Sequence, residues 1–271
     1  MVADAENDNG MIPQFCLCSL ASGSKGNAVY VSDGTTAVLF DAGLSGIDIE
    51  RRLMSRGISP GGINAIIVSH EHIDHVRGVG VLSRRYKIPV YINAKTKAAA
   101  LPVIKNVHLE ETFSCGRSFA VNQLRIHPFS LSHDATDPTG FTVGFKRLKI
   151  GLATDLGIAT AVVKHHLKDC DALFLEANHD EKMLETGPYP WPVKQRIRSR
   201  GGHLSNEASK ILLSELKHDG LKHVLLGHLS ETNNTPETAF SHVGSALNGC
   251  KARLDVALQN TCSSMIFLKP E

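Results

Sequence analysis

The chain lacks the features that mark several large classes of protein. It contains no apolar run long enough to cross a bilayer among its 271 residues, so no membrane partner is expected. Residues 1–10 are acidic and polar, without the basic and then apolar pattern of a secretion signal. The formal net charge of +2 does not indicate a protein that is basic over its whole surface, although a local basic patch is compatible with it. These absences predict a globular protein of the cytoplasm.

The cysteines also lack a characteristic pattern. There are six of them, and no two have the CxxC spacing of a redox motif or a zinc site. In the cytoplasm they are expected to be reduced thiols. Cys16 and Cys18 alternate within an apolar run. Such alternation indicates small buried side chains more often than a soft-metal site.

The apolar pattern predicts alternating strands and helices around a strand-rich middle. Strands are predicted at residues 15–20, 28–32, 37–40, 63–68, 89–92, 172–176, 223–226, 253–257 and 265–268, with several more between 123 and 152. Helices are predicted at residues 47–56, 76–85, 207–216 and 236–247. This order is typical of two β-sheets packed face to face with helices on both outer sides, a four-layer αββα sandwich. We expect one domain over residues 15–271, preceded by a disordered tail at residues 1–14.

Histidine is abundant, with 14 residues, and four metal-binding side chains are concentrated in one short segment. The segment reads His70-x-His72-x-Asp74-His75 and follows the apolar, β-branched run at residues 66–68. It therefore lies where a strand ends and a helix begins, so its side chains can converge on one point. Imidazole nitrogens and carboxylate oxygens are suitable ligands for divalent metal ions. A polar surface turn is the alternative interpretation. Four metal-binding side chains within six residues make that alternative less favoured.

Three further residues of the same type occur in the same setting, each at the end of an apolar run. They are His133, Asp155 and His228. Any one of them alone would more often cap a strand or helix than bind a metal. Together with the first cluster, however, they predict a shared metal centre.

The pattern from Asp41 through His228 resembles that of the metallo-β-lactamase fold family. The resemblance covers essentially the whole chain, and it implies the αββα sandwich with its site at the edge between the two sheets. It also implies that His70, His72 and His133 hold one metal ion. Asp74, His75 and His228 would hold a second, with Asp155 bridging the two and Asp41 ordering the histidine turn. A lactamase would be expected to carry a cysteine ligand, and the Asp74-His75 pair instead resembles the nuclease, glyoxalase and lactonase branches.

Two divalent ions can activate a bridging hydroxide and stabilise both the attacking and the leaving oxygen of a phosphodiester. Zinc and manganese suit these ligands, and iron does as well. The same centre can hydrolyse thioesters and lactones, so the metal motif does not choose the substrate. Asp74 is expected to act in catalysis as well, by orienting the hydroxide and taking up a proton.

Two segments favour a phosphate-containing substrate. The small polar loop at residues 21–27 offers Ser22, Ser24 and Asn27, together with backbone amides, to a phosphate, although an ordinary glycine turn explains it equally well. Farther along, four cations occur within seven residues before His203. They are Lys194, Arg196, Arg198 and Arg200. A solvated basic helix face is the usual meaning of such spacing, but His203 and the helix start that follows it form a natural anion site.

Local signatures in three stretches, residues 20–27, 176–180 and 202–206, resemble the YycJ/WalJ-like branch of the family. That branch implies a 5′ to 3′ exonuclease acting on double-stranded DNA. We expect His203 to contact the scissile phosphate or protonate the leaving oxygen, with His179 as its competitor and a candidate for substrate binding. A lactone or thioester hydrolase, a ribonuclease and a non-enzymatic metal-binding module are the alternatives. The chain could also act as a homodimer.

Overall fold

The computed structural model describes residues 14–269, so the predicted disordered tail lies almost entirely outside the described residues. The strands are β1 Phe15–Ala21, β2 Ala28–Ser32, β3 Ala37–Phe40, β4 Ala65–Ile67, β5 Pro89–Asn93, β6 Leu109–Phe113, β7 Phe119–Val121, β8 Leu124–Ser130, β9 Thr139–Phe145, β10 Leu148–Ala153, β11 Ala172–Glu176, β12 His223–Gly227, β13 Arg253–Val256 and β14 Ile266–Leu268. The helices are α1 Gly46–Ser55, α2 Ile73–Val76, α3 Val79–Tyr86, α4 Ala94–Ile104, α5 Ala161–Leu167, α6 Glu181–Thr186, α7 Trp191–Arg198, α8 Asn206–Leu216 and α9 Pro236–Gly244. Short 3-10 turns occur at Pro60–Gly62 and Ser245–Leu247.

The strands form two seven-stranded mixed sheets within the described residues. The first has the order β14-β1-β2-β3-β4-β5-β6, and the second β13-β12-β11-β10-β9-β8-β7. Strands β3 to β6 are mutually parallel, and so are β10 to β13. The carboxyl ends of parallel strands are the usual place for a ligand site in such sheets.

Apolar side chains pack in three layers between four layers of backbone. One layer lies between the sheets and contains side chains from both, such as Phe40 and Phe141. A second layer packs the first sheet against α1 and α3, and a third packs the second sheet against α5, α8 and α9. This is the predicted αββα sandwich, and the prediction is confirmed.

Several elements were not predicted from the sequence, and weak periodicity explains the omission. The buried face of α4 consists of Thr96, Ala100 and Ile104, and Pro102 lies inside the helix. The buried face of α5 has only Val163 and Leu167. So few apolar residues do not create a recognisable helical pattern. The described residues contain no helix long and apolar enough to cross a membrane.

We predict that Ile150→Ala destabilises the protein by about 2–5 kcal/mol, because Ile150 is fully buried between the sheets and truncation leaves a cavity. The matched control is Ile211→Ala, since the side chain of Ile211 is 51% exposed on α8. The measurement is the free energy of unfolding from urea titrations. Equal effects of the two substitutions would contradict the packing described here.

Candidate metal centre

The histidine turn follows β4 and is fixed by a carboxylate from the neighbouring parallel strand. Asp41, just after β3, accepts hydrogen bonds from the Ser69 amide at 2.8 Å and from the Ser69 hydroxyl at 2.7 Å. Its Oδ2 also lies 2.8 Å from Nδ1 of His75. That contact fixes the orientation of the His75 ring, whose Nε2 faces Asp155 and Asp74 on the other side. Asp41 therefore occupies the ordering position that the family resemblance implies.

Three residues at strand ends adopt the left-handed backbone conformation that favours glycine. Asp41, Asp155 and His228 have φ angles of 60°, 62° and 54°, and they directly follow or lie just beyond β3, β10 and β12. Such conformations cost about 1–3 kcal/mol each and persist where surrounding structure holds them. Here the left-handed turn directs each side chain across the sheet edge toward the same point.

The structure brings the seven candidate ligands together in overlapping groups. The groups are His70, His72 and His133; Asp74, His75 and His228; and His70, His75 and Asp155, with ligand atoms within 4.8 Å of one another in each group. Asp155 lies between the histidines, with Oδ2 at 3.4 Å from His75 Nε2 and Oδ1 at 3.3 Å from His228 Nε2. This arrangement is compatible with a bridging carboxylate.

The hydrogen bonds around the histidines leave their inner atoms unused. His133 Nδ1 donates to the Gly202 carbonyl at 3.0 Å, and His228 Nδ1 donates to Glu176 at 3.0 Å. The Nε2 atoms of His70, His133 and His228 and Oδ2 of Asp155 are buried and have no hydrogen-bond partner within residues 14–269. Buried polar atoms are rarely left unpaired. Three electron-pair donors and a carboxylate oxygen facing one point fit a divalent metal ion.

Carboxylates and imidazoles balance each other's charge in this buried site. Burial opposes ionisation of Asp155, but the charges of His228 and His75 outweigh it and hold its pKa well below the usual range. Burial also disfavours the charged form of His228, yet Asp155, Asp74 and Glu176 raise its pKa to about 10. Metal binding displaces such protons from ligands, so a divalent cation can replace them without upsetting the charge balance.

Glu176, at the end of β11, was not predicted to have a role. It is fully buried, and its Oε1 accepts from His203 Nδ1 at 2.6 Å and from His228 Nδ1 at 3.0 Å. Its Oε2 accepts from the amides of Leu156 and Leu204 at 2.9 and 3.3 Å. Burial opposes its ionisation, but His203 and His228 lower its pKa to about 2. Both oxygens are thus already engaged, so Glu176 orients histidines instead of serving as a free ligand.

His203 and His179 occupy different environments. The side chain of His203 is 19% exposed at the mouth of the site, and its ring lies 5.0 Å from the rings of His133 and His228. His179 is only 2% exposed, and burial lowers its pKa to about 4. His179 is joined to Ser205 by a backbone bridge. Of the two, His203 is the more exposed and lies beside two of the candidate metal ligands.

The loop at residues 21–27 lies against the candidate metal ligands. The Ser22 hydroxyl is buried and accepts from the His228 amide at 2.7 Å. Asn27 Nδ2 lies 3.2 Å from Asp74 Oδ2 and 3.0 Å from His75 Nε2. Ser22 and Asn27 therefore contact the candidate ligands from inside, whereas Ser24, the third residue of the loop predicted to bind substrate, is exposed.

Close packing of this loop requires a glycine in the segment after β3. A Cβ atom at Gly43 would lie 1.6 Å from the Asp74 carbonyl oxygen. The Gly43 amide donates to the Asn27 carbonyl, and the Asn27 amide donates to the Asp74 carbonyl, both at 2.8 Å. Glycine thus allows the loop, the segment after β3 and the histidine turn to meet.

The basic stretch forms α7 and the turn after it, and its cations divide into two kinds. Lys194 is buried, and its ammonium donates to the Glu185 carbonyl at 2.7 Å, so its predicted role in contacting substrate is not supported by this geometry. Arg196 is exposed and pairs with Asp134 at 2.5 Å, next to His133. Arg198 is exposed and donates to the Glu181 carbonyl at 3.3 Å, and Arg200 is also exposed. The arginines, unlike Lys194, face solvent near the site.

Known proteins are similar to this chain in sequence and in fold. Residues 21–175 match the metallo-beta-lactamase superfamily. Exodeoxyribonuclease YycJ of Bacillus anthracis is 38% identical over 230 residues, which is 84% of this chain and 87% of that protein. Exodeoxyribonuclease WalJ of Streptococcus pneumoniae is 36% identical over 225 residues, covering 81% of this chain and 83% of that protein.

A solved structure extends the match to the architecture. The metallo-beta-lactamase fold protein YhfI of Bacillus subtilis superposes with a TM-score of 0.69 at 15% identity, covering 92% of this chain and 99% of that protein. At this identity the match concerns the fold alone. The site geometry, the superfamily match and the two relatives agree, and the chain belongs to the metallo-β-lactamase superfamily, in its YycJ/WalJ-like branch.

Proposed function

We propose that the protein is a metal-dependent exodeoxyribonuclease that degrades duplex DNA from the 5′ end. The single observation that carries a hydrolytic function is the convergence of unpaired histidine nitrogens and a buried carboxylate at the sheet edge. The choice of DNA is supported by two relatives named exodeoxyribonucleases, which are 36–38% identical over more than four fifths of this chain. The duplex preference and the polarity follow from the resemblance to this branch.

In this proposal the ligands divide between two divalent ions. His70, His72 and His133 would hold one, and Asp74, His75 and His228 the other, with Asp155 between them. Zinc and manganese are the candidates, and iron also suits these ligands. When bound, such ions supply a hydroxide nucleophile and neutralise charge on the phosphate. Asp74 remains the candidate for orienting that nucleophile, since its side chain is 18% exposed beside His75 and His228.

His203 is the proposed general acid, and Glu176 is its positioning residue. The 2.6 Å contact from His203 Nδ1 to Glu176 leaves Nε2 available to the leaving oxygen. The contact with the buried carboxylate fixes the orientation of the imidazole, which is the side chain that most often transfers protons in catalysis. Because Glu176 also contacts His228, it fixes the position of the proposed acid relative to the candidate metal ligands.

The exposed rim supplies the contacts to the DNA backbone in this proposal. Ser24 and Lys25 are exposed in the loop after β1, and Arg196, Arg198 and Arg200 are exposed on α7 and the turn after it. Lys25 pairs with Glu231 at 2.5 Å, and Arg196 pairs with Asp134. Exposed pairs of this kind contribute little, so a phosphate can compete for the cation.

We predict that the purified protein with manganese or zinc releases label at once from 5′-labelled duplex DNA, while 3′-labelled strands shorten progressively. Single strands, duplex RNA and a lactone substrate should react more slowly, and a chelator should stop the reaction. The products are resolved by gel electrophoresis. First release of a 3′ label would contradict the polarity, and hydrolysis of only the lactone would contradict the nucleic-acid substrate.

We further predict that each chain binds close to two metal ions, because the candidate ligands form two groups joined by Asp155. Elemental analysis after mild loading and desalting measures the ratio of metal to protein. The variant Asp155→Asn, whose side chain cannot supply a bridging carboxylate, is expected to retain less than the wild type. Saturation of the wild type at one ion would rule out the proposed two-metal centre.

For His203, the expectation separates acid catalysis from a structural role. His203→Ala should slow DNA hydrolysis by about 10²–10⁴-fold, which is the range for a lost general acid. Hydrolysis of bis(p-nitrophenyl) phosphate should change little, because nitrophenolate leaves without needing a proton. Metal content is the control. Loss of metal, or equal losses on both substrates, would show that His203 acts as a ligand or a structural residue instead.

A further inference from the structure

A second charged feature lies at the end of the second sheet opposite the metal centre. The residues of this feature line a cleft with a volume of about 420 Å³. The cationic and imidazole side chains that line it, here called the basic cleft, are Arg125, His127, Lys146, Arg147 and Lys149. They come from β8, from the hairpin between β9 and β10, and from the start of β10. Two strands and the hairpin that precedes β10 thus place their charges in one concave site.

The basic cleft concentrates positive charge on a nearly neutral protein. Four of its residues are lysine or arginine, against one lining carboxylate, that of Asp169, while the whole chain has a formal net charge of +2. Arg125 has no acidic partner within residues 14–269, and the Lys146 ammonium lies 5.1 Å from the centre of the Phe145 ring. Lys149 donates to the neutral carbonyl of Lys168 at 2.6 Å. The charges of Arg125, Lys146 and Lys149 are therefore not consumed by ion pairs within the described residues.

His127 adds an unused polar group to the cleft. Its Nδ1 lies 2.8 Å from the Ser118 hydroxyl, and its buried Nε2 has no hydrogen-bond partner within the described residues. Burial and the charges of Lys149 and His165 lower the pKa of His127, which favours the neutral ring. If the Ser118 hydroxyl donates to Nδ1, the ring proton sits on Nε2 and requires an acceptor.

We propose that the basic cleft binds a phosphate group, supplied by a DNA backbone that extends from the metal centre, an inference that rests on the proposed nuclease function. Oxyanions satisfy both the cations and a donating Nε2 of His127, whereas metal ions and cationic ligands do not. Asp169 and the carbonyl end of α5 oppose an anion and limit it to the side formed by Arg125, Lys146 and Lys149.

Distance determines how much DNA is needed to reach the cleft. Lys149 and Asp155 are separated by six residues along β10 and the turn after it, which corresponds to about 20 Å of extended chain. A duplex rises about 3.4 Å per base pair, so about six base pairs span this distance. Free phosphate offers the same chemistry without the length requirement, and an experiment can distinguish the two sources.

The test uses the double variant Arg125→Gln/Lys146→Gln, in which two cleft charges are removed. The double variant Lys251→Gln/Arg253→Gln is the matched control, because both residues are exposed at the other edge of the same sheet. Affinities for a duplex of about 20 base pairs and a hairpin of about five base pairs are measured over a range of salt concentrations, since each phosphate contact contributes about −0.9 to the log–log slope. Inorganic phosphate binding is measured by calorimetry, and urea unfolding checks that both variants fold.

We expect the cleft variant to flatten the salt slope for the long duplex by about one to two units, to leave the hairpin unaffected, and to differ from the control. A loss of phosphate affinity of about tenfold with an unaltered duplex slope would assign the cleft to free phosphate instead. If neither ligand distinguishes the cleft variant from the control, the proposal is wrong. Because binding is measured and not turnover, failure of the proposed nuclease activity would leave this result interpretable.

Discussion

The site depends on one constraint, which is the burial of the Asp155 carboxylate at the edge between the sheets. A charged carboxylate that is 2% exposed is costly unless positive charge lies beside it. His75 supplies that charge from the first sheet, and His228 supplies it from the second. The same interaction therefore joins the two halves of the sandwich and defines where a cation can bind. Removing one partner would leave the others buried without compensation, so the group acts as a unit.

A second layer of hydrogen bonds determines which nitrogen of each histidine faces the centre. Asp41, the Gly202 carbonyl and Glu176 each accept from an Nδ1 atom, and each comes from a different segment of the chain. The orientation of the rings is thus a property of the whole fold and not of the histidine turn. Glu176 links this layer to His203, so the metal centre and the proposed acid are held by one carboxylate.

The sequence predicted those parts of the site whose signal is local or repeated. The candidate ligands between His70 and His75 occur within one turn, and the candidates His133, Asp155 and His228 recur at strand ends. Glu176 was not predicted, because its partners His203 and His228 lie 27 and 52 residues away and nothing nearby indicates them. Lys194 was interpreted with its neighbours as solvent-facing, but its position on α7 turns it toward Glu185. Helices α4 and α5 were missed because tertiary packing stabilises them despite weak apolar periodicity.

Buried ion pairs in this protein cannot easily exchange partners, whereas exposed ion pairs can. This difference suits a hydrolase of a charged polymer. The pair between His203 and the fully buried Glu176 cannot exchange partners, because the exchange would leave a buried carboxylate charge without compensation. The pairs of Lys25 with Glu231 and of Arg196 with Asp134 involve exposed side chains, whose net contribution is about 0–1 kcal/mol. A phosphate can therefore replace the carboxylate at the rim at little cost, while the geometry of the centre stays fixed. Substrate capture and chemistry are thereby separated: binding rearranges exposed charges, and the buried network keeps the proposed metal ligands and the proposed acid in place.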